Sequence, residues 1–178
     1  MPTHVAFLRA INVGGRRVTK DELARLTTAA GFSGVSTFLA SGNILLDASG
    51  RGPAEIEAEL GVALEQGLGY TVEVFVRDAL ELREILERSP FSSSQLETAT
   101  SKPQVGFLRE SPAPGAVQEI ESASTPQDLL RILGRELHWL PVGGMARAAF
   151  DPNKAARTLG PMTIRTQNTV RRLLAKLA

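Results

Sequence analysis

Val5-Ala6-Phe7-Leu8-Arg9 returns one hundred residues later as Val105-Gly106-Phe107-Leu108-Arg109. Each stretch is short and apolar, as a buried strand is. The residues after the first copy give it a fold. Thr19, with Glu22 three residues on, carries the signature of a capping box, and a helix is expected from there to Ala30, with Gly31 as its stop. Val35–Ala40 and Asn43–Leu46 read as two strands of a hairpin split by Ser41-Gly42. Pro53 suits the first turn of a second helix, in which Ile56, Leu60, Ala63 and Leu64 recur at helical spacing until Gly67 or Gly69. Thr71–Val76 is rich in β-branched residues and reads as a strand. The order β-α-β-β-α-β is the ferredoxin-like, split βαβ arrangement.

The second copy starts the pattern again. Asp78 and Glu81 open another helix that ends before Pro90, and the Ser- and Thr-rich residues 89–102 read as a connecting loop. Pro112–Ser122 is a helix candidate. Leu129–Leu133 and Glu136–Leu140 flank Gly134-Arg135 as a hairpin. Thr125-Pro126-Gln127-Asp128 also has the form of a helix start, but the hairpin completes a second β-α-β-β unit. Asp151 caps a short helix from Pro152 to Leu159, Thr163–Arg165 is extended, and Asn168–Leu177 is amphipathic. The fold class expected is α+β, with two ferredoxin-like subdomains in a duplicated arrangement. Residues 1–88 would form the first subdomain with its following helix, 89–102 the connection, and 103–178 the second.

Composition narrows the class further. Hydrophobic residues at 43% and charged residues at 22% suit a soluble globular chain. No apolar run is long enough to span a bilayer, and no signal-like segment opens the chain, so no membrane partner and a cytoplasmic location are expected. Cysteine is absent, which excludes disulfides, thiolate metal sites and cysteine nucleophiles. His4 and His138 lie far apart and no HExxH occurs, so no metal site is expected. The formal net charge is +1, yet it is unevenly spread. Residues 55–87 are acidic and read as solvated helix faces. The last helix is basic, through Arg171, Arg172 and Lys176.

The segment after the first strand carries the most chemistry. Asn12-Val13-Gly14-Gly15-Arg16-Arg17 joins a strand to a helix. Paired glycines reach backbone conformations in which successive N–H groups cradle an anion, and the helix start that comes next adds a favourable dipole. Arg9, Arg16 and Arg17 would supply charge-assisted bonds. No GK[ST] succeeds the glycines and no GxGxxG is present, so neither nucleotide loop applies. Ser41 and Asn43 offer a hydroxyl and an amide at the hairpin turn. Arg165, Asn168 and Thr169 sit at the start of the last helix.

Phe7-Leu8-Arg9-Ala10-Ile11-Asn12-Val13-Gly14-Gly15, Ser41-Gly42-Asn43 and Thr163-Ile164-Arg165-Thr166-Gln167-Asn168-Thr169-Val170 resemble, in order and spacing, the bacterial family catalogued as domain of unknown function 1697. The resemblance implies a cytoplasmic α+β protein of two subdomains and implies no reaction. Near the C-terminus the family pattern is usually Thr-x-Arg-Asn-x-Asn-Thr-Val. Here Thr166 replaces the first Asn and Gln167 takes the variable place. The family also tends to carry a serine where this chain reads Arg147-Ala148-Ala149.

The function expected is binding of a small anionic or phosphorylated ligand by Arg9, Asn12, Gly14, Gly15, Arg16, Arg17, Ser41, Asn43, Arg165, Asn168 and Thr169. Catalytic residues and cofactor are unassigned, and whether the chain is an enzyme is left open. Two alternatives stand beside it. One is a nucleic-acid-associated module using the basic last helix, which aromatic residues at only 5% and the near-neutral charge count against. The other is a structural or interaction protein in which these motifs only stabilise the fold.

Overall fold

A computed structural model describes residues 1–40, 42–48 and 50–177. The chain divides into two compact units, one formed by Met1–Arg83 with Arg172–Ala178, the other by Glu84–Arg171. The division falls within a helix rather than in residues 89–102, and it assigns the last seven residues to the first unit.

In the first unit the elements run β1 (His4–Arg9), α1 (Lys20–Ala29), β2 (Ser33–Thr37), β3 (Asn43–Asp47), α2 (Pro53–Leu68) and β4 (Glu73–Asp78), followed by α3 (Ala79–Glu87). The sheet order is β2-β3-β1-β4, antiparallel throughout. The second unit repeats it. After α4 (Ser93–Thr98) come β5 (Gln104–Leu108), α5 (Pro114–Ser122), β6 (Asp128–Leu133), β7 (Glu136–Pro141), α6 (Pro152–Leu159), β8 (Met162–Thr166) and α7 (Gln167–Leu174), with sheet order β6-β7-β5-β8. The repeated pentapeptides are the equivalent central strands β1 and β5. Residues 128–141 form the expected hairpin rather than a helix.

Local chemistry explains most boundaries. Thr19 accepts from the Glu22 N–H at 3.1 Å, but the Glu22 carboxylate turns to Arg25 instead of closing the capping box. Asp78 and Glu81 do form the reciprocal pair, each accepting the other's N–H. Gly69 ends α2 at φ +77°, which costs a glycine little. Residues 89–102 hold the helix α4, closed by a full capping box between Ser92 and Gln95. The last helix is capped by Thr166, which accepts from the Thr169 N–H at 3.1 Å, rather than by Asn168 or Thr169. Both Asn and Thr serve as caps, so the Asn-to-Thr departure keeps this role.

Alternate residues of the central strands face the helices. Ala6, Leu8, Ile44, Leu46, Val74 and Val76 pack with Leu23, Ile56, Leu60 and Leu64 as one core. In the second unit Leu108, Leu130, Leu137 and Trp139 pack with Ile120, Ala155 and Leu159. Residues of the other face, among them Val5, Phe7, Phe75, Val105 and Phe107, are fully buried as well. The acidic stretch is less uniformly solvated than its composition predicts. Glu57 is buried and accepts the Val76 N–H at 2.8 Å, satisfying a donor that α2 covers. No helix among the described residues is long and apolar enough to cross a membrane.

Candidate functional site

The segment after β1 and the β2–β3 connection meet at one corner of the first unit. The Leu8 N–H donates to the Gly42 carbonyl at 2.8 Å. Gly42 has φ +73°, and a Cβ there would lie 3.0 Å from the Leu8 Cβ and 3.4 Å from that of Ile11. Asn12 ties the segments together. Its Nδ2 donates to the Ala40 carbonyl at 3.2 Å and its Oδ1 accepts from the Val18 N–H at 2.7 Å. Asn43 is buried, and its Nδ2 donates to the Phe38 carbonyl at 2.8 Å. The amides of the two motifs thus shape the loops. Ser41 lies outside the described residues.

The backbone here is unusual. Ala10, Asn12 and Leu39 have φ of +63°, +58° and +61°, and no other described residue apart from glycines has a positive φ. Such conformations cost an L-residue about 1–2 kcal/mol each, more for Ala and Leu than for Asn, and they gather at functional corners. Gly14 and Gly15 come next at +60° and +82°. They are the central residues of a turn closed by Arg16 N–H to Val13 O at 3.1 Å, with both φ positive as in type I′. Along residues 10–14 the sign of φ therefore alternates. The N–H groups of Ile11, Asn12, Gly14 and Gly15 take no partner among the described residues, while Val13 N–H closes a turn on residues 11–12, and nothing lies within 4 Å of where a Cβ would stand at either glycine.

The three arginines have separate fates. Arg9 is paired with Glu73 at 2.8 Å. Arg16 lies over the Tyr70 ring, 4.2 Å from its centre, and the buried Tyr70 hydroxyl has no partner among the described residues. Arg17 is exposed and unpaired among the described residues. The α1 start adds less than its position suggests. Thr19 occupies one of its N–H groups, and Asp21 and Glu22 stand in its first turn, where they already offset the dipole.

Arg165, Asn168 and Thr169 belong to the second unit. Arg165 is buried, and its Nη1 donates to Thr163 Oγ1 and to the Ile164 carbonyl, each at 2.8 Å. Burial lowers its pKa to about 10, well below the usual guanidinium range. Asn168 is exposed, and the Thr169 hydroxyl is within 3.0 Å of that of Thr166. In the last turn of the chain, Arg172 and Lys176 lie over the Phe38 ring, 4.7 and 5.2 Å from its centre. His138 is a buried strand residue, its pKa lowered by burial to about 4. No group of three His, Asp or Glu among the described residues could hold a metal ion.

Tyr70, Glu73 and the strained Leu39 carry no sequence motif, and Ala10, although inside the LRAINVGG motif, gives no sign in the sequence of its positive φ. Tyr70 and Glu73 reach the corner only through the pairing of β4 with β1, in which Arg9 lies opposite Glu73.

The fold recurs in a conserved bacterial protein, SP0830 of Streptococcus pneumoniae, whose solved structure superposes with a TM-score of 0.73 at 19% identity, covering 98% of this chain and 97% of that one. No curated protein matches the sequence. A family model described as protein of unknown function (DUF1697) matches residues 1–138, the stretch that holds both the LRAINVGG and the SGN motifs, and the chain belongs to that family.

Proposed function

We propose that the first unit binds a small inorganic or phosphorylated anion on the backbone of residues 11–15, with Arg17 as its free cation. The observation that carries this reading is the set of unpartnered N–H groups at Ile11, Asn12, Gly14 and Gly15, on a segment whose φ alternates in sign from residue 10 to residue 14. Successive residues of opposite hand turn neighbouring N–H groups to one side, which makes a concavity for an anion. Strain at Ala10 and Leu39 supports it, because a loop needed only for connection would relax or carry glycine there.

The amide of Asn12 is spent on holding the loop and Arg9 on Glu73, so neither touches the anion. Arg16 stacks on Tyr70 at the edge of the loop. The nucleic-acid reading is not taken up, because two of the three cations on which it rested lie over Phe38.

Inorganic phosphate titrated into ¹⁵N-labelled protein, with sodium chloride as the ionic-strength control, tests the proposal. Saturable shifts centred on the Gly14, Gly15 and Arg17 amides are expected, with weaker binding in Arg17→Ala. Unchanged amides up to roughly 10 mM phosphate, a Kd of little interest for a specific site, overturn it.

A further inference from the structure

Although the two units share a topology, their helices differ. In the first, α2 runs sixteen residues and closes on α1, where a Cβ at Gly67 would collide with the methyl groups of Leu26. Its counterpart α6 runs only eight. Beside it, between α5, α6 and the residues leading into α6, lies a cavity of about 410 Å³. That volume is within the range of small-molecule sites, roughly 300–1,000 Å³.

Apolar groups form much of its wall, among them Ile120, Ala123, Phe150 and Ala155. Phe150 is held edge-on against the buried Trp139, their ring centres 5.1 Å apart. Three acids line the cavity and all three are engaged. Asp128, fully buried, accepts from Trp139 Nε1 at 2.7 Å and from the Ala149 and Phe150 N–H groups at 2.7 and 3.2 Å. Glu119 accepts from the Thr158 hydroxyl at 2.9 Å, and Asp151 from the Asn153 N–H at 2.9 Å. The two cations of the lining, Lys154 and Arg157, are exposed and have no partner among the described residues. Three residues apart on α6, they stand on one side of the helix.

We propose that this cavity is a second ligand site, independent of the loop in the first unit, for a small organic anion. The apolar body of the ligand fills the cavity against Ile120 and Phe150, and its acid group lies between Lys154 and Arg157. An apolar wall with a few convergent polar groups is the usual build of such a site. Of the charged side chains in the lining, Lys154 and Arg157 are the ones with no hydrogen-bond partner among the described residues.

Two dyes of like shape separate the contributions: 8-anilinonaphthalene-1-sulfonate, which carries the acid group, and N-phenyl-1-naphthylamine, which lacks it. Fluorescence titration of the full chain should show one saturable site for the sulfonate. Lys154→Ala with Arg157→Ala should weaken the sulfonate about tenfold, as loss of a charge-assisted contact does, and the neutral dye less than twofold. Ala123→Leu and Ala149→Leu, both at exposed lining positions, should exclude both dyes, with the near-ultraviolet dichroism of Trp139 showing that each variant is folded. Absence of a saturable site, equal loss of both dyes in the double variant, or undiminished binding in the two filled variants overturns the proposal.

Discussion

His138 should make the second unit acid-sensitive in a defined window. It lies on β7 with Arg131 opposite on β6 and Val105 opposite on β5, and Arg165 is next in the same row on β8. Burial holds its pKa at about 4, against 6.5 for a free imidazole. Above pH 6.5 the ring is neutral folded or unfolded and contributes no pH dependence. Below it the unfolded chain takes up a proton that the folded chain refuses, so stability falls with falling pH until the native ring also titrates near 4. The interval from 6.5 to about 4, at about 1.4 kcal/mol per pH unit, amounts to roughly 3 kcal/mol. Trp139, the only tryptophan, is the neighbouring residue and reports on this unit. Urea unfolding followed by its fluorescence, from pH 7 to pH 4, should be compared with His138→Gln, which cannot titrate. Carboxylates common to both proteins cancel in the difference. Wild type should lose roughly 3 kcal/mol relative to the variant across the window. A difference flat to within about 0.5 kcal/mol, or one that favours wild type as pH falls, refutes the reasoning.

The packing predicts two further outcomes. Asp128→Asn puts an amide NH₂ where three donors converge, and the buried donors left unmatched should cost the second unit about 2 kcal/mol or more in urea unfolding. Gly42→Ala should cost about 1–3 kcal/mol, because strain at φ +73° adds to the approach of Leu8 and Ile11. Gly69→Ala, at φ +77° with nothing within 4 Å, should cost only the strain, and equal losses at the two positions would refute the packing account.

Local signals are legible in the sequence and distant ones are not. The two central strands, the hairpins, Pro53 at the start of α2 and the glycine stops are all written in neighbouring residues, and they suffice for the fold. Helix α4 is hidden by composition: Ser- and Thr-rich residues read as a loop, although Ser92 and Gln95 stand at capping-box spacing. Glu57 carries no local mark of burial, because its partner, the Val76 N–H, comes from another element. The candidate site divides in the same way. Asn12, Gly42 and Asn43 stand out as residues, but their work on the loops depends on contacts across β1 and β3. The cavity beside α6 leaves no motif at all, since its lining is gathered from residues of several elements between Glu119 and Thr158.

Comparison of the two units separates what the fold requires from what each half has added. In both, a valine of the central strand faces an arginine of the last strand, Val5 with Arg77 and Val105 with Arg165. Each arginine is buried, and each donates from Nη1 to the carbonyl of the residue before it, at 2.7 and 2.8 Å. A buried guanidinium is costly, and its presence at one register position in both halves marks it as part of the duplicated architecture rather than of a site in one half. Two features are not shared. After β1 the chain takes the strained, glycine-paired path of residues 10–18. After β5 it passes through Arg109-Glu110-Ser111 towards α5, with no described non-glycine residue at positive φ. The long α2 packs on α1, while the short α6 leaves a cavity. The two proposed ligand sites lie at these two departures, and each is tested without reference to the other.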